Sequence, residues 1–271
     1  MNIPANAIGS RDFLQKLNVA WSMGARAIQG RRVAKNLDTS YAVLDACSEG
    51  INNHLFRKGA NGCGMSSSII GSGMAIEYET VKNILSKVEA TGGFDKVLQL
   101  EVVKRGIKIE YLHNALVFDE KVNSSHAFKQ QRKRWVSSQF IYLRKYFSEG
   151  VKQLFKGNIS YFDLAIVKNL ILPRAFLFVL CPLLFLFSLA MGTGWVLASL
   201  ALGLAYISSL WLSLPVELVN RDLVNALWRL PQAIGLMVGA LFGIKKANQT
   251  FIHTVHTKTE INNPLFNEQG K

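Results

Sequence analysis

Three short features of the chain hold residue types that do chemistry: Gly71-Ser72-Gly73-Met74, an isolated Asp95, and Gln131-Arg132-Lys133-Arg134-Trp135. A carboxylate at the edge of a pocket can take a proton from an attacking hydroxyl. Glutamine offers a donor and an acceptor. Arginine offers a fixed cation for developing phosphate charge, and tryptophan a flat apolar face. A glycine pair lets backbone approach a ligand closely. Each feature also has a plain reading. Gly-Ser-Gly makes a turn, an aspartate near a helix start caps it, and a basic run covers a solvated face.

Taken in this order, ahead of a long apolar region, the three features resemble family 2 glycosyltransferases, the group that holds cellulose, chitin and hyaluronan synthases and many bacterial polysaccharide enzymes. The resemblance runs over roughly residues 13–257. The family's Q-x-x-R-W is matched by Gln131, Arg134 and Trp135. Its acidic motif places an Asp at the start of a helix that ends at a Gly eleven residues on, which Asp95 and Gly106 match. Phe94 stands where the family usually has an acid before that Asp. RAIQGRRVAKN, residues 26–36, resembles the strand and loop after the family's metal motif. Phe251, Thr254 and His256 resemble a C-terminal Phe-x-x-Thr segment.

The resemblance implies an inverting transfer from a nucleoside-diphosphate sugar to a saccharide or lipid-linked acceptor, in bacterial polysaccharide synthesis. It implies Asp95 as catalytic base. It places Gly71, Ser72, Gly73, Gln131, Arg134 and Trp135 around substrate and acceptor. The family holds Mg²⁺ or Mn²⁺ through an Asp-x-Asp motif, and no Asp-x-Asp occurs in this sequence. The expectation is therefore the C-terminal half of a GT-A-type domain, truncated before the donor and metal half. Either the chain is then a fragment or mis-started gene, or a separate polypeptide carries the missing half. The alternative is a non-catalytic membrane scaffold or the second half of a split enzyme.

The elements that must position these residues follow from periodicity. Apolar residues at helical spacing predict helices over 12–23, 41–56, 78–89 and 94–105, the last ending before Gly106 as a helix ends at a C-terminal glycine. Residues 25–33, 107–111 and 115–118 read as strands, and 61–74 as a Gly/Ser-rich loop with a short strand around Ile69. Alternating helix and strand argues for an α/β domain over 1–127. Residues 128–160 predict a long basic and aromatic helix of the kind that lies at a membrane interface.

Charge divides the chain. Of 31 Lys and Arg, 25 lie at or before Arg174, and residues 175–220 carry neither, with Glu217 the one acid. Such a run predicts spans at 175–192 and 195–214 within a transmembrane hairpin region, 161–215. Basic flanks put both ends on the cytoplasmic side, so the expected location is a multi-pass inner-membrane protein with its catalytic part in the cytosol. Residues 232–244, within a last segment 216–271, suit an interfacial or re-entrant helix better than a full span; the alternative is a third span starting near Leu223, which would bury Arg229. The tail, 262–271, reads as polar and mobile. The net charge of +13 fits anionic lipid as a partner. No nucleic-acid motif is present, and three scattered cysteines give neither a disulfide framework nor a zinc site.

Overall fold

A computed structural model describes residues 7–86, 93–171, 173–241 and 260–268. Its centre is a four-stranded sheet in the order β1-β4-β2-β3: β1 Ile8–Gly9, β2 Ala27–Ala34, β3 Met74–Ile76 and β4 Ile109–Asp119. β2 pairs parallel with β4 and antiparallel with β3, while β1 pairs antiparallel with the end of β4. β2 is buried along nearly its whole length, as a strand covered on both faces must be.

Two strands expected at 107–111 and 115–118 are one. β4 runs through both, and its register against β2 jumps from Gly30↔Leu112 to Arg31↔Leu116. The residues between bulge out, which is what broke the alternation in sequence. The strand expected around Ile69 is absent. Residues 67–73 form a loop, and the strand begins at Met74.

Helices pack on both faces. α1 (Phe13–Ser22) seats Phe13 and Leu17 against Ile28 and Val117. α2 (Ser40–Asn52) starts at Thr39, whose side chain accepts from the Ala42 amide. It runs into a π-helical segment, Asn53–Gly59, and one further turn, α3 (Ala60–Gly62). α4 (Tyr78–Leu85) follows β3. α5 (Phe94–Lys104) buries Leu98, Leu100, Val102 and Val103 in the main core and stops at Gly106, which takes φ +74°.

α6 (Ser125–Phe155) is a single helix of 31 residues, capped by Ser124. Gly150 gives it close passage over the π-helical segment Asp163–Val167: a Cβ there would stand 2.8 Å from the Ile166 side chain. Short turns α7 (Ile159–Phe162) and α8 (Lys168–Leu170) flank that segment.

The apolar region forms two packed helices, α9 (Arg174–Ser188) and α10 (Thr193–Ser213). Phe178 meets Tyr206 edge-on, and the Ser188 and Ser199 hydroxyls lie 3.0 Å apart. Their outer surfaces are leucine and aromatic side chains, with Phe187 66% and Leu212 76% exposed. Among the described residues, only α10 is long and apolar enough to cross a membrane alone; α9 passes that test only as a bent pair with the segment before it. The expected first span, 175–192, is thus shorter than read, because Leu189–Met191 unwind into the turn.

After a 3₁₀ turn, Val216–Leu218, come α11 (Arg221–Leu227) and α12 (Leu230–Leu241). α12 lays Ala233 and Met237 on Phe128 and Val122 of the domain. At 1.5 Å per residue its described part, Leu230–Leu241, spans roughly 18 Å. The tail is not loose in its described part. α13 (Pro264–Glu268) packs Phe266 on Phe118, and Asn263 donates to the Ala34 carbonyl at 2.6 Å. Its apolar pair Leu265 and Phe266 was masked in sequence by polar neighbours.

Candidate active site

Gly71, Ser72 and Gly73 form the turn that delivers the chain into β3. Gly71 has φ +77° and Gly73 φ +64°, a region where L side chains are strained. Gly73 also lies so close to Val117 that a Cβ would meet its methyl at 2.5 Å. Ser72 is buried, and its hydroxyl finds no partner among the described residues.

The loop is pinned at almost every peptide by side chains. Gln29, fully buried in β2, donates to the Ser72 carbonyl at 2.8 Å and accepts from the Ile70 amide at 3.1 Å. The Gly30 amide donates to the Gly73 carbonyl at 2.8 Å. Arg32 donates to the Ile70 carbonyl at 3.2 Å, and Gln99 accepts from the Ile69 amide at 3.0 Å. A loop that lacks strand partners needs such substitutes.

Asp95 sits in the first turn of α5, four residues before Gln99 and so on the same helix face. That face looks at the loop: a Cβ built on Gly71 would stand 3.8 Å from Asp95 Oδ2. The structure therefore brings together Gly71 and Asp95, far apart in sequence. Desolvation raises the Asp95 pKa above its ordinary value, against the opposing pull of the Lys96 amide and the Lys96 and Arg32 charges. Lys96 is itself lowered by burial, and donates to Asn169 Oδ1 at 3.0 Å.

α6 docks on this turn. Tyr142 Oη donates to the Gly93 carbonyl at 3.1 Å, two residues before Asp95. Trp135 lies seven residues, roughly 10 Å, earlier along the same helix. Trp135 is 39% exposed, Arg134 is half-buried, and Gln131 has a buried Oε1 without a partner among the described residues. The Phe251, Thr254 and His256 segment lies outside the described residues.

Behind the site is a buried ion network that the sequence reading did not single out. Glu49 on α2 accepts from Arg32 at 2.6 Å and Arg57 at 2.8 Å, with Lys121 at 4.0 Å. Burial alone pushes the Glu49 carboxyl up, but these three cations outweigh it and hold it far below the usual carboxylate range. Asp45, one turn earlier, pairs with Arg132 of α6, and Arg31 pairs with Glu217 beyond α10. An Asp and a Glu four apart on an otherwise apolar helix were the available signal. An open cleft of about 460 Å³ between α1 and β4, edged by Met23, Tyr111 and His113, holds none of the expected site residues.

A divalent ion needs several oxygen ligands free of other partners. Among the described residues there is no group of three His, Cys, Asp or Glu that could hold a metal. Asp45, Glu49 and Glu217 are each engaged by arginine. The described residues do not fit the family's metal.

A mixed α/β layer with a glycine turn facing a helix-opening carboxylate is consistent with a GT-A-like domain. The chain belongs to glycosyl transferase family group 2, whose family model matches residues 7–219. That match covers most of the chain, so it lends no support to a domain cut to half. No curated protein matches the chain.

Proposed function

We propose that the chain carries the acceptor side of an inverting glycosyl transfer, with Asp95 as the base. The observation that carries this reading is the 3.8 Å from Asp95 Oδ2 to the position a Gly71 side chain would take. Glycine there leaves room for an acceptor hydroxyl beside a carboxylate. Asp95 takes that proton as the oxygen attacks the anomeric carbon, and the bond to the nucleoside diphosphate breaks. Arg134 and Gln131 face the developing charge and the sugar hydroxyls, and Trp135 offers the sugar its ring. The acceptor is a saccharide or a lipid-linked saccharide, in bacterial polysaccharide synthesis. The apolar surfaces of α9 and α10, next to a basic catalytic part, support a seat at a membrane with anionic lipid.

Asp95→Asn tests the base. It keeps the side chain's shape but takes no proton near neutral pH. Transfer should fall about 10²–10⁴-fold, with donor affinity nearly unchanged. Near wild-type turnover would remove Asp95 from the role.

The lack of Asp-x-Asp in the sequence favours a second reading of the donor side, in which another polypeptide segment holds the diphosphate and its metal. Calorimetry with UDP and Mn²⁺ separates the two. Tight binding to this chain that a chelator abolishes would remove the second reading.

A further inference from the structure

We propose that Arg132 is a positioning residue for Trp135 and that Asp45 holds it in that task. This rests on the reading of Trp135 as the acceptor's platform. Arg132 occupies one of the two unspecified positions of Gln131-x-x-Arg134-Trp135, where a basic residue reads as part of a solvated face. Its side chain is instead turned inward and is 8% exposed.

Its guanidinium carbon lies 4.6 Å from the centre of the Trp135 ring and 4.8 Å from that of Phe128. Positions 128, 132 and 135 are spaced four and three apart, so they stack along one face of α6. The guanidinium is thereby held between two rings. It is anchored from a different element by the ion pair with Asp45, which is 4% exposed. α2 also grips the stack one turn earlier, where the Tyr41 ring meets Phe128 at 5.7 Å. The indole thus rests on a cation that α2 holds through Asp45, and α2 also holds the Phe128 ring, the cation's other neighbour, while more than a third of the indole's own surface stays open.

Both partners are needed. A guanidinium buried without its carboxylate is strongly unfavourable. Tryptophan is the best ring for a cation to lie against, and only a planar cation lies flat on it, so lysine does not replace arginine here. With the guanidinium gone the indole gains rotamers, and a sugar must order it on binding. The effect belongs in acceptor KM rather than kcat.

The test uses the full chain in lipid nanodiscs, labelled with 5-fluorotryptophan, with the Trp135 resonance assigned by Trp135→Phe. Arg132→Lys keeps the buried charge and its pairing with Asp45, so it serves where Asp45→Asn unfolds the protein. In Arg132→Lys the Trp135 resonance should shift and broaden while those of Trp21, Trp195, Trp211 and Trp228 hold. An unmoved Trp135 resonance in a folded Arg132→Lys overturns the proposal and leaves the ion pair as a tie between helices. In transfer assays the same variant should raise acceptor KM roughly tenfold, the scale of a desolvated cation–π contact. That increase should vanish in a Trp135→Ala background. A Trp135→Ala protein with wild-type acceptor KM would sink the platform reading, and the fluorine shift would still decide the positioning of the ring.

Discussion

At the scale of single residues, Asp95 carries two opposite demands. Burial holds its pKa above the ordinary carboxylate value, so its ionised form costs the fold stability. The sign follows from linkage. A carboxyl raised in the folded state stabilises below its unfolded pKa, and that contribution is lost as pH rises through the folded pKa. At neutral pH Asp95→Asn should therefore melt higher than wild type while losing transfer. The difference should shrink as pH falls to the value where Asp95 takes its proton. Thermal unfolding at neutral and acid pH checks it; a lower melting temperature at neutral pH would show that the Asp95 charge stabilises the first turn of α5 more than its burial costs. The helix that Asp95 opens was legible in sequence from apolar spacing and Gly106, while the role of Asp95 as base is what the family resemblance implies. Gln29 was not legible. Its job, pinning Ile70 and Ser72 from a neighbouring strand, depends on a contact between positions some forty apart, which no local period encodes.

At the scale of elements, α2 is the hub. Its polar face reaches β2 through Glu49 and Arg32, and α6 through Asp45 and Arg132. Ser48 and Asn52 of the same face accept from Arg174 at the head of α9. Glu49→Gln leaves Arg32 and Arg57 buried beside a neutral group, which should cost about 3–5 kcal/mol at neutral pH. Because the Glu49 pKa is depressed by the fold, its contribution is present above the ordinary 4.5 and is lost only as pH falls through the folded value. The gap between wild type and Glu49→Gln, read by thermal melts, should thus persist into mild acid; a gap that closes near 4.5 would show that the network does not hold the carboxylate. Helices α1, α2, α5 and α6 were legible from apolar period and caps. Strand β4 was read as two pieces, since a bulge resets the two-residue alternation.

For the whole molecule, helices α9 and α10 and the α/β layer are joined at several points, and the charge division of the sequence falls between them. We predict that α9 and α10 enter the membrane from one side and return to it. Reporter fusions after Gly157 and after Lys246 should both report cytoplasm, and a reporter on the far side at either point would exclude the hairpin. The apolar region was the plainest feature of the sequence, yet its division was not. Hydropathy marks where lipid is tolerated, while Pro173 and Gly192 decide where the helices begin.

The ends of the described chain converge on one residue. Ile8 of β1 is the ladder partner of Phe118, and Phe266 of α13 packs edge-on against the Phe118 ring at 5.4 Å. In outline the protein is close to a closed loop, with Phe118 as its clasp. Such a chain can be re-spliced. A short tether joining the start of β1 to the end of α13 should be nearly strain-free, and new ends could then be cut into an exposed turn such as Met191–Gly192 without parting the clasp. The same geometry makes the start of β1 and α13 neighbours rather than opposites, so a donor–acceptor dye pair placed on these two elements reads whether the loop is shut.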